Sequence, residues 1–178
     1  MKNVLILSST PRVNGNSEIL CRSFMEGAKD AGHLVEKIAL RDCKINYCRG
    51  CSVCSYQKKP CPQNDDAAWI IEKMLQADVI AFATPVYFYA MSAQMKTLLD
   101  RCCGLYTEMK NKDFYLLATA AEDDPEIMNR IAESFQGFFD CLEHPTVKGH
   151  LFCGGVWHAG EIAGRPELKT AYDAGKSI

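Results

Sequence analysis

Five times along this chain an apolar run of strand length is followed by apolar residues at helical spacing, and that alternation restricts the fold more than any other feature. Val4–Leu7 is a continuous apolar run passing into Ser8-Ser9-Thr10-Pro11, as a buried strand entering a loop does. From Asn16 to about Ala31, Ile19, Leu20, Phe24 and Ala28 recur at helical spacing, and Gly32 closes the segment. Leu34–Leu40 reads as a second strand, after which a Cys-rich loop at about 43–64 interrupts the pattern. Asp65 and Asp66 predict the N-cap of a helix carrying Trp69, Ile70, Ile71, Met74 and Leu75. Val79–Ala83 predicts the third strand, Met91–Cys103 the third helix and Phe114–Ala120 the fourth strand. Pro125–Cys141 reads as a long helix, Thr146–Cys153 as the fifth strand and Pro166–Lys176 as the last helix.

Strands that are apolar on both faces and joined through helices make a parallel sheet covered on both sides. Right-handed crossovers then give a doubly wound sheet, although periodicity leaves its strand order open. With 178 residues and no repeat, low-complexity tract or linker, the expectation is a single domain over residues 1–178.

Charge and cysteine usage narrow the setting. A net charge of −2 without a long basic run gives no electrostatic case for nucleic acid or an anionic membrane. The apolar run after Met1-Lys2-Asn3 is too short for a signal peptide, and nothing approaches the roughly 20 apolar residues of a membrane span. The expected location is the cytoplasm, where ten cysteines do not read as a disulfide framework. Cys21, Cys102, Cys103, Cys141 and Cys153 are scattered among apolar neighbours and read as small buried hydrophobes.

In such sheets ligands bind beyond the carboxyl ends of the strands, where the strand order reverses. The loop from Ser8 to Ser17 is rich in hydroxyls and amides, holds Arg12 and opens directly onto a helix. Free N–H groups and the positive dipole end at a helix start form an anion site. Asn14 and Gly15 tolerate the left-handed conformations that turn several N–H groups toward one point. The loop has neither G-x-G-x-x-G nor G-x-x-x-x-G-K-[ST], so one terminal phosphate suits it better than a pyrophosphate or triphosphate. The competing reading has Asn16 or Ser17 capping a helix and the rest forming a turn. Tyr87, Phe88 and Tyr89 follow the third strand, where aromatic rings would cover a flat ligand or pack against a helix or a partner subunit. Backbone N–H groups of the Pro85–Phe88 segment would address polar ring atoms. Thr119-Ala120-Ala121-Glu122, after the fourth strand, leaves room for a ring edge.

Together, Ser9–Ser17, Thr84-Pro85-Val86-Tyr87-Phe88, Lys96 with Asp100-Arg101, and the closing Ala171–Lys176 segment resemble one family. It is the flavodoxin-like NAD(P)H-dependent FMN reductases and, more narrowly, the iron–sulfur flavoproteins. The resemblance implies an α/β fold with strand order 2-1-3-4-5, helices on both faces and bound FMN. It implies Ser9, Arg12, Asn14, Asn16 and Ser17 around the phosphate, with Pro85, Val86, Tyr87, Phe88, Thr119 and Ala120 along the isoalloxazine. It also implies a homodimer or homotetramer with Tyr87-Phe88-Tyr89 at a subunit contact. FMN would accept hydride from transiently bound NAD(P)H and reduce a small acceptor such as a quinone, flavin or nitro compound. No side chain is then required as acid or base, and His33, His144, His150 and His158 sit in no motif that claims the role. Where many relatives are Gly-rich, this chain has Ala120-Ala121-Glu122-Asp123-Asp124, so the acceptor does not carry over.

Cys48-x2-Cys51-x2-Cys54-x6-Cys61 is compact enough for several thiolates to converge on one centre, with Cys43 outside the set. Iron–sulfur flavoproteins hold a [4Fe–4S] cluster with a similar run. That implies an alternative function: an electron carrier between ferredoxin-like partners, through FMN and a cluster. Two other readings of the four cysteines stay open. One is zinc, whose structural sites usually come as two separated C-x-x-C knuckles; the other is metal-free thiols. Lys58 and Lys59 beside them either lower a thiol pKa or are solvated loop charges.

Overall fold

In the computed structural model, which describes residues 1–178, β1 (Asn3–Ser8), β2 (Leu34–Ala39), β3 (Val79–Pro85), β4 (Asp113–Thr119) and β5 (Thr146–Cys153) pair in parallel. Their order across the sheet is β2-β1-β3-β4-β5. The chain therefore leaves β1 toward one edge and returns at β3 to build toward the other. The loops after β1 and β3 flank the point of reversal.

The helices are α1 (Asn16–Asp30), α2 (Ala67–Gln76), α3 (Ala93–Arg101), α4 (Glu126–Phe139) and α5 (Glu167–Lys176). The period-2 alternation of the central strands divides the core in two. Val4, Ile6, Val79, Ala81 and Leu117 pack with Leu20, Phe24 and Ala171 from α1 and α5. Leu5, Leu7, Ile80, Phe82, Phe114 and Leu116 face α2, α3 and α4 on the other side. Phe82 centres an aromatic group there, with ring centroids 5.8 Å from Phe114 and 5.3 Å from Phe135. Each such ring, fully buried, contributes on the order of 1.5–3 kcal/mol of transfer free energy.

Two features fix α1, whose first turn faces the crevice. Against α5 it crosses so closely that a Cβ on Gly27 would lie 2.0 Å from the Tyr172 carbonyl oxygen. A Cβ on Gly175 would meet the Phe24 carbonyl oxygen at the same distance, so neither position accepts a side chain. On the sheet side, Glu18 is buried and accepts hydrogen bonds from Lys37 at 2.8 Å and Arg41 at 2.7 Å. Burial acts to raise its pKa, but the bonds from Arg41 and Lys37 outweigh it and hold the carboxyl at about 2.

The elements follow the periodicity with three differences. α3 stops at Arg101, and Cys102–Gly104 is a 3-10 turn where the apolar spacing ran on. Trp69 is turned out of α2 and donates its Nε1–H to Asp66 at 3.0 Å. Of the five scattered cysteines, Cys21, Cys102 and Cys153 are buried as expected, but Cys103 and Cys141 are exposed. The 3-10 turn explains Cys103, because losing the helical register swings it away from the core that receives Cys102.

Candidate functional site

The loops after β1, β3, β4 and β5 enclose one cleft. Thr10, Arg12, Gly15, Asn16 and Ser17 form its floor, with Pro85, Val86 and Tyr87 on one wall. Thr119, Ala121, Val156 and Trp157 complete it. The floor is the start of α1, and the amides of Asn16 and Ser17 find no acceptor in the chain. Ser17 Oγ is buried there without a hydrogen-bond partner. Thr10 Oγ1 accepts the Arg12 amide at 3.3 Å, which curls the loop around that point. Unspent N–H groups, a lone hydroxyl and a helix dipole directed at one spot select an oxyanion.

Asn16 lines the cleft, but its side chain is turned to the loop after β5. Its Nδ2 donates to the carbonyls of Val156 at 3.3 Å and His158 at 2.8 Å, and its Oδ1 accepts the amides of Gly160 at 3.0 Å and Ile162 at 3.3 Å. The side chain is thereby used up in folding the loop after β5 over the floor. Arg12 reaches the same loop, donating through Nη1 to the Trp157 carbonyl at 2.7 Å. The remaining guanidinium N–H groups are left for the cleft.

Of the other residues expected here, Ser9 is buried between β1 and β3. Its hydroxyl donates to the Ala83 carbonyl at 3.2 Å and accepts from Ser92 Oγ at 2.8 Å. Asn14 has a left-handed backbone, φ 54°, and its Oδ1 accepts from Arg22 at 2.8 Å, outside the cleft. Ala120 is spent on β5 and the loop after it, donating its N–H to the Cys153 carbonyl and accepting the Val156 amide, and Ala121 lines the cleft in its place. None of the four histidines lines it.

The aromatic loop is a tight turn. Tyr87 and Ala90 exchange hydrogen bonds at 3.0 and 3.1 Å, while Phe88 and Tyr89 have φ of 50° and 61°. Two central residues with positive φ define a type I′ turn, a geometry usually given to Asn-Gly. Tyr87 faces the cleft, Phe88 is fully exposed, and Tyr89 donates to Glu122 at 3.3 Å with Arg130 over its ring at 4.6 Å. The turn and β4 consume the amides of Tyr87 and Val86, leaving the Phe88 amide free.

Away from this cleft, Cys48, Cys51, Cys54 and Cys61 line a cavity of about 100 Å3 together with Cys103 and Arg101. Arg101 donates to Asp65 at 2.7 Å, the Asn46 carbonyl at 2.8 Å and Cys61 Sγ at 3.4 Å. Burial acts to raise the Asp65 pKa, but the bonds from Arg101 and the amides of Asn46 and Ala67 hold it at about 2. Burial pushes the Cys54 thiol up, and the neighbouring Cys61 and Cys103 push it further. No three His, Cys, Asp or Glu groups stand together so as to hold a metal ion. Cys43 lies outside this cavity, as the spacing predicted.

Sequence reading missed Trp157, Val156 and Cys103. The Gly154-Gly155-Val156-Trp157 stretch at the carboxyl end of the fifth strand was the available signal for the first two. Nothing in the spacing marked Cys103.

The family described as NADPH-dependent FMN reductase matches residues 2–149. An iron–sulfur flavoprotein of Methanocaldococcus jannaschii is 41% identical over 98 residues, which is 55% of this chain and 50% of that protein. An iron–sulfur flavoprotein of Methanosarcina thermophila is 35% identical over 109 residues, 60% of this chain and 56% of that protein. The chain thus spans about half the length of the curated relatives it matches. Among solved structures, the NAD(P)H:quinone oxidoreductase of Methanothermobacter marburgensis superposes with a TM-score of 0.80 at 20% identity. That match covers 99% of this chain and 95% of the other, a likeness of fold. No helix is long and apolar enough to cross a membrane.

Proposed function

The chain belongs to the NADPH-dependent FMN reductase family, and we propose that it is an FMN-dependent oxidoreductase that takes electrons from NAD(P)H. One observation carries this reading: the unpartnered Ser17 hydroxyl and the two unspent amides at the start of α1, in a cleft that continues to Tyr87 and Trp157. These donors suit the terminal phosphate of FMN, with Arg12 adding charge at the rim. FMN bound there supplies the hydride and electron chemistry. The chain would supply position, with Pro85, Val86, Tyr87, Thr119 and Ala121 of the cleft wall holding the ring. The free Phe88 amide is available as a donor to the ring's polar edge. NAD(P)H would be the transient electron donor, and a quinone, flavin or nitro compound the acceptor. In the test, FMN-loaded protein is mixed with NADH or NADPH without oxygen. The flavin absorbance should bleach and return when a quinone is added; no bleaching with either nucleotide overturns the reading.

A second reading, an electron carrier with a [4Fe–4S] cluster in addition to FMN, is favoured by the thiol cavity. The four thiols, with no histidine among them, line one cavity. A four-iron cluster binds each thiolate through a different iron and so takes donors distributed around a cavity. Four cysteines supply that donor set, and two relatives bear the iron–sulfur flavoprotein name. Iron and sulfide assays on protein purified without oxygen should give about four irons per chain; their absence overturns this second reading alone.

A further inference from the structure

Arg101 stands at the end of α3 with its side chain 2% exposed, paired with an Asp65 side chain that is 0% exposed. Asn46 and Asp65 are the two ends of the thiol loop, and the guanidinium joins both through Nη1. Its Nη2–H is directed at Cys61 Sγ, 3.4 Å away. No other side chain donates a hydrogen bond to any of the four motif sulfurs.

We propose that Arg101 is a positioning residue for the sulfur of Cys61, holding it toward the cavity and tuning the centre it binds. The assignment rests on the cluster reading above. Burying an ion pair is costly, and apolar residues of similar size would hold α3 to the loop at least as well. An apolar pair, however, could neither fix the direction of a donor nor bring positive charge to a ligand sulfur. The rigid guanidinium fork does both, because Asp65 and the Asn46 carbonyl orient one arm and so aim the other. A hydrogen bond to a ligand sulfur and a nearby buried cation both favour the more negative, reduced form of a cluster. Arg101 therefore raises the reduction potential, and it acts through Cys61.

The test uses the full chain, reconstituted with iron and sulfide without oxygen. Arg101→Gln is combined with Asp65→Asn, so that no buried charge is left unpaired, and compared with Arg101→Lys and the unaltered chain. FMN affinity of the metal-free proteins reports whether each remains folded. The readouts are iron per chain and the cluster potential from a spectroscopically followed redox titration. The expected result is an iron-loaded double variant with a lower potential, partly restored by lysine, which keeps the charge but not the fork. An unchanged potential in an iron-loaded double variant overturns the assignment. Loss of iron from both variants with FMN affinity kept reduces Arg101 to a loop anchor and also overturns it. An unaltered chain that takes up no iron sinks the cluster reading itself, a different failure from either of these.

Discussion

Gly15 and Thr10 stand so close that a Cβ on Gly15 would lie 2.6 Å from Thr10 Oγ1 and 3.2 Å from the Arg12 carbonyl oxygen. The missing side chain is what lets the loop after β1 close around the start of α1. Gly15→Ala should push Thr10 and the Arg12 backbone apart and open that cradle. The expected outcome is at least a tenfold loss of FMN affinity, about 1.4 kcal/mol, measured by equilibrium titration of the flavin. Unchanged affinity would mean the cradle is not what holds the phosphate.

Asn16 makes a second prediction because its side chain has four partners in the loop after β5. Asn16→Ala strands the amides of Gly160 and Ile162, which should cost roughly 1–3 kcal/mol in urea unfolding. Asn16→Asp keeps the acceptor for those amides but sets a carboxylate oxygen against the carbonyls of Val156 and His158, and should cost at least as much. Both should weaken FMN binding, since Val156 and Trp157 ride on that loop.

Acid should destabilise the chain through two carboxylates. Glu18 and Asp65 are held at about 2 in the fold, against ordinary values of 4.5 and 3.8. A depressed folded-state pKa adds stability above the unfolded value and loses it as the pH falls through the folded one. Stability should therefore drain between about pH 4.5 and pH 2. Glu18→Gln lowers the starting stability and should flatten that decline, as unfolding midpoints at several pH values would show.

The turn carrying Phe88 stores strain. Phe88 is fully exposed, yet its φ is 50°, which a residue with a Cβ adopts at a cost. Phe88→Asn should raise stability by about 0.5–1 kcal/mol, because Asn tolerates this conformation and no contact within the chain is lost. Thermal unfolding over a range of protein concentrations checks this. A loss of stability instead would show that something outside the chain, such as a second copy, covers the ring.

What the sequence disclosed and what it hid divide along one physical line. Val4–Leu7 and Val79–Ala83 announce buried strands because burial on both faces demands an unbroken apolar run, a local property. The polar start of α1 was legible for the same reason, since its hydroxyls and amides lie in one short segment. The bonds of the Asn16 side chain were not legible, because its partners lie about 144 residues away and no local pattern names them. Ser9 looked like a ligand for phosphate but is claimed by Ala83 and Ser92, again at long range. Cys103 joins the thiol cavity only because α3 ends two residues before it, and helix ends are poorly fixed by periodicity.

FMN and riboflavin, which has the same ring but no phosphate, can be compared in equilibrium titrations of the unaltered chain and Ser17→Ala. If the start of α1 holds the phosphate, FMN should bind at least a hundredfold more tightly than riboflavin, about 2.7 kcal/mol. Ser17→Ala should narrow that gap by weakening FMN alone. Equal affinity for the two flavins, or a gap that Ser17→Ala leaves untouched, would contradict the account.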